Sequence, residues 1–111
     1  LSISTPLEAA MPQCLLVLHS LDALEPAARK AFTDSLYEIS SEHWAVQEGA
    51  TLVATGTSPG YLLAHLRGVL RRSGAPEVPL IVTRIRADLA MSGQPEEGAA
   101  WLQGLLDEAK D

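Results

Sequence analysis

The sequence predicts an α+β sandwich, and the order in which its hydrophobic periods change is what predicts it. A continuous apolar run at Cys14 to Leu18 comes first, then a helical pattern, then two closely spaced alternating runs. A second helical pattern, an apolar run from Leu80 to Ile85 and a third helical pattern follow. In order, this is β-α-β-β-α-β with an extra C-terminal helix. It is the ferredoxin-like arrangement, with a four-stranded antiparallel sheet. Such a scaffold hosts many functions, so function must be read from the side chains placed on it.

The first strand is expected over Gln13 to His19, where the unbroken run Cys14-Leu-Leu-Val-Leu18 suits a central strand. Asp22 and Glu25 have capping-box spacing, and Pro26 fits a first helical turn. Leu24, Ala28, Phe32, Leu36 and Ile39 then form one apolar stripe, with Arg29, Lys30, Asp34 and Glu38 mostly off it. Trp44 and Val46 share one face of a short second strand. Gln47 to Ala50 reads as its turn, and Thr51 to Thr55 as the returning strand. Ser58-Pro59 matches an N-cap followed by an N1 proline. Leu62, Leu63, Leu66, Val69 and Leu70 line the helix that opens there, and Gly74 suits its C′ position. After the strand at Leu80 to Ile85, residues 88–94 read as a loop. Pro95-Glu96-Glu97 starts a last helix carrying Trp101, Leu102, Leu105 and Leu106.

With 111 residues the chain fits one domain, set over 13–111 after an N-terminal extension at 1–12. A hydrophobic content of 47% argues against disorder. The net charge of −6 weighs against nucleic acid as a partner, without removing a local basic face. A single cysteine, Cys14, excludes an internal disulfide framework and a cysteine-based zinc cluster. Its place inside the first strand suits a buried thiol and a reducing, cytoplasmic setting. The apolar runs are far shorter than the ~20 residues a bilayer span needs, so no membrane partner is expected. No charged n-region with an apolar h-region is seen, hence no signal peptide is expected.

His19, His43 and His65 show no metal-ligand spacing with one another or with Cys14, and neither metal nor other cofactor is expected. His19, Ser20 and Asp22 meet at the end of the first strand, without the strained elbow that exposes a nucleophilic serine. Gly56 to Gly60 precedes a helix but lacks both the P-loop lysine and the Gly-x-Gly-x-x-Gly pattern. The candidate basic patch is Arg67, Arg71, Arg72, Arg84 and Arg86, five of the eight basic residues within twenty positions. The helix dipole accounts for part of it, and shared strand parity points Arg84 and Arg86 to one face. The candidate interface is Trp101 with Leu105, an aromatic anchor on a terminal helix, helped by open sheet edges.

Leu15-Leu-Val-Leu18, Thr51-Leu-Val-Ala-Thr55, the helix from Leu62 to Leu70, Leu80 to Ile85 and the Trp101 segment also carry a resemblance. Over most of Met11 to Leu106 the arrangement resembles the SinR-like and CRISPR-associated ferredoxin-fold, nuclease-like proteins. That resemblance implies dimerisation through sheet edges. Nuclease members of that family end their first strand with an aromatic-Asp pair that supports a divalent metal. Here His19-Ser20 stands at that place and Asp22 falls outside the strand, so nuclease activity does not carry over. The expectation is a non-enzymatic, cytoplasmic, homodimeric interaction module. The alternatives are a catalytically degenerate nucleic-acid-associated protein and a small-molecule-binding regulatory domain.

Overall fold

Among the described residues seven elements form, and their order interleaves two βαβ units. The computed structural model describes residues 13–22, 24–86 and 88–109, so the expected extension at 1–12 lies outside the described residues. The elements are β1 (Gln13–His19), α1 (Pro26–Glu38), β2 (Glu42–Gln47), β3 (Ala50–Thr55), α2 (Pro59–Arg72), β4 (Leu80–Arg84) and α3 (Glu96–Ala109). The sheet runs β2-β3-β1-β4, and every neighbouring pair is antiparallel. Each helical crossover skips one strand: α1 leads from β1 past β3 to β2, and α2 leads from β3 past β1 to β4. This is the ferredoxin-like split βαβ, as the hydrophobic periods predict.

Strand alternation divides the interior into two cores, one on each sheet face. Leu15, Val17 and Val53 pack with Phe32 and Leu36 of α1 and Leu62, Leu66 and Leu70 of α2. Cys14, Leu52 and Ala54 pack on the other face with Leu102, Leu105 and Leu106 of α3. All six residues of β3 are consequently buried. The extra helix is the second layer of cover, without which Leu52 and Ala54 would face water.

Local chemistry sets the helix ends. Ser58 accepts a hydrogen bond from the Tyr61 amide at 3.1 Å and Pro59 occupies the first helical position. At the other end Gly74, at φ 81°, closes α2. Its amide donates to the Arg71 carbonyl at 3.1 Å and the Ala75 amide to Leu70 at 2.8 Å, the paired bonds of a Schellman motif. The capping box expected at Asp22 and Glu25 does not form. Glu25 itself is the N-cap, at φ −62° and ψ 152°, and its side chain makes no cap bond. Pro26 decides this, because a proline holds the residue before it extended and so starts the helix at its own position. The last strand ends at Arg84 rather than Ile85, although the Ile85 amide still reaches the Cys14 carbonyl at 2.9 Å.

Candidate functional site

One end of the sheet is recessed. There the end of β1, the β2–β3 turn and the α2–β4 connection meet around Ser20. Gly49, at φ 78°, makes the Glu48-Gly49 turn possible and brings its carbonyl 2.9 Å from the His19 amide. A side chain at Gly49 would also be strained, with its Cβ only 3.1 Å from the His19 carbonyl oxygen. A cleft of about 410 Å³ is lined by His19, Asp22, Arg29 and Glu48, among others. Ser20 joins it to clefts of about 270 and 430 Å³ running past Pro79.

The His19 ring belongs to the core more than to this recess. It packs edge-on to Phe32 with centroids 5.5 Å apart, and Nε2 lies 3.0 Å from Thr51 Oγ1. Nδ1 is buried with no hydrogen-bond partner. Burial pushes the imidazole below its ordinary pKa, which keeps the ring neutral near pH 7. The hydroxyl held by His19 is therefore that of Thr51, not that of Ser20. Arg29 is likewise occupied in shaping the loop, donating to the Leu24 carbonyl at 3.2 Å and to that of Asp22 at 3.4 Å. Among the described residues no three His, Cys, Asp or Glu side chains gather where one metal ion could be held.

A second histidine–hydroxyl pair escaped the sequence. Ser35 Oγ lies 2.6 Å from His65 Nε2, joining α1 to α2. Ser35 is 9% exposed, so its hydroxyl serves the helix interface and is closed to a substrate. The only signal was position: Ser35 falls three residues after Phe32, on the buried side of α1. The loop before α2 is similarly self-contained. The Thr55 hydroxyl donates to the Ile39 carbonyl at 2.8 Å and accepts from the Thr57 amide at 3.3 Å.

All five candidate arginines are exposed. The antiparallel course of α2 and β4 strings them out. Arg71 and Arg72 lie at the end of α2 from which the chain enters β4, whereas Arg84 is at the far end of that strand. Arg84 Nε donates to the neutral Gln13 Oε1 at 2.6 Å. Arg86 lies past the strand, so the parity argument reaches Arg84 alone. Among the described residues the one ion pair is Lys30–Asp34, far from these arginines in sequence and fully on the surface of α1.

Trp101 and Leu105 are placed by α3. Leu105 is 6% exposed and sits in the second core. Trp101 is half-buried: its ring meets Trp44 edge-to-face at 6.2 Å, and Nε1 donates to Glu42 Oε1 at 2.9 Å. Trp44 in turn lies over Gly98, where an added Cβ would be 2.6 Å from ring atom Cε2. α3 thus covers the β2, β3 and β1 part of its face and leaves the β4 margin bare. Leu18 and Ile81, paired across β1 and β4, are 36% and 57% exposed there. Among the described residues no helix is long and apolar enough to cross a membrane. No family model, curated protein or solved structure matches the chain.

Proposed function

We propose that this chain is a non-enzymatic, cytoplasmic interaction module that acts as a homodimer joined along β4. The bare Leu18–Ile81 strip beside an unpaired edge strand carries this reading. An edge strand offers a row of free backbone donors and acceptors, and exposed apolar residues at that edge add a hydrophobic gain to pairing. The opposite edge is less inviting. β2 carries a one-residue register shift between Trp44 and Gln47, and such a bulge blunts strand addition.

A two-fold pairing centred on Val82 sets Ile81 against Thr83 of the partner subunit on the face that α3 leaves bare. It sets Arg84 against Leu80 of the partner subunit, so the guanidinium groups are not forced together. A role outside catalysis fits the two histidine–hydroxyl contacts, both spent on packing. Light scattering coupled to size exclusion tests the proposal. The expected result is a dimer that persists from low to moderate salt and becomes a monomer in Ile81→Lys. A wild-type monomer at the highest soluble concentration, or an Ile81→Lys dimer, overturns it.

A further inference from the structure

We propose that the outer face of α2 binds single-stranded nucleic acid. Charge is strongly segregated along this chain. Between Gly60 and Arg86 there are five arginines and one carboxylate, Glu77, a net +4. The rest of the chain has three basic and thirteen acidic residues, a net −10. A stretch this basic in so acidic a protein is not needed for solubility. Its arginines are exposed, and among the described residues none has a carboxylate within ion-pair distance.

Helical spacing puts Tyr61, Ala64, Arg67, Arg71 and Arg72 on the outside of α2, opposite the buried Leu62, Leu66 and Leu70. From Tyr61 to Arg72 this face extends about 16 Å, and it carries no acid. Tyr61 is 61% exposed, an aromatic ring the core does not use. The residues between are small. A Cβ at Gly60 would meet nothing within 4 Å, and the guanidinium of Arg72 lies back over Gly68. An extended anionic chain can therefore approach the helix closely.

Two points favour nucleic acid over an acidic protein segment. Every basic residue of the stretch is arginine, whose planar fork suits phosphate oxygens and also stacks on bases. An exposed tyrosine beside such a stripe supplies the stacking face that unpaired bases use. A duplex would leave that ring idle, which selects the single strand. The acidic remainder sits on other elements, and charges beyond a Debye length of about 10 Å are largely screened at moderate salt.

The test is fluorescence anisotropy with labelled oligo-dT and oligo-U of about 12 nucleotides, read at about 50 and 200 mM salt. A duplex of the same length and a poly-glutamate peptide of matched charge are run beside them. The single strands are expected to bind more tightly than either competitor. The variant carrying Arg67→Ala and Arg71→Ala should lose roughly tenfold in affinity, and its salt slope should be shallower by about 1.4, two phosphate contacts' worth. Tyr61→Ala should lose roughly fivefold or more with the salt slope unchanged. Arg29→Ala, at an arginine of α1 that donates to carbonyls of the loop before that helix, should bind as wild type. These positions are exposed, and circular dichroism confirms that each variant is folded. No binding at low salt, equal binding of poly-glutamate, or an unaffected Tyr61→Ala each overturns the proposal.

Discussion

His19 shows how one residue can be placed by the sequence while its contacts stay hidden. Its position at the end of β1 was legible, because the apolar run stops there. Its contacts were not, since Thr51 and Phe32 lie on elements far along the chain. The ring is buried as a neutral group, with Nδ1 unsatisfied, and this makes stability depend on pH. The unfolded imidazole takes up a proton as pH falls below about 6.5, while the folded one, with its pKa lowered, does not. The unfolded state then binds more protons, so His19 contributes full stability above that pH and loses it as the medium is acidified toward the folded value. Melting curves between pH 7.5 and 5.5 should show a smaller fall for His19→Gln than for wild type. Equal falls would mean that the carboxylates alone set the acid response.

Helix ends were read from local residues where those residues act alone. Ser58, Pro59 and Gly74 fixed both ends of α2, and Ser58→Ala should cost about 1 kcal/mol in a denaturant titration. Asp22 and Glu25 misled because the proline directly after Glu25 imposed its own start. α3 was legible as a helix from Trp101, Leu102, Leu105 and Leu106, but its docking face was not. That face depends on Trp44, more than fifty residues away, fitting over Gly98. The contact sets intrinsic propensity against packing. Alanine normally favours a helix over glycine by about 1 kcal/mol. Here the methyl group would enter the Trp44 ring, so Gly98→Ala is expected to destabilise by about 1–3 kcal/mol. A gain in melting temperature would show that α3 can shift to make room.

The whole fold was the most legible level, because each hydrophobic period reports a buried face and each face needs cover. Contacts between copies write no period into the chain, so the β4 edge had to be inferred from what α3 leaves bare. Association also has a thermodynamic signature. If folded dimers are favoured over unfolded monomers, the melting temperature must rise with protein concentration. That rise is expected for wild type and should vanish in Ile81→Lys.

The two cores lie back to back, and this makes them separable. If α3 lifts away, only the layer of Cys14, Leu52 and Ala54 is uncovered, while the packing of α1 and α2 is untouched. Such partial openings cost less than global unfolding. Cys14 sits under that flap, 1% exposed, with burial pushing its thiol up to about 11. The protein therefore carries its own clock for the motion: a thiol reagent can reach Cys14 only as often as α3 leaves. Gly98→Ala should quicken that reaction well below the melting temperature. Leu66→Ala, under the opposite face, should cost about 2–5 kcal/mol of global stability and quicken it far less.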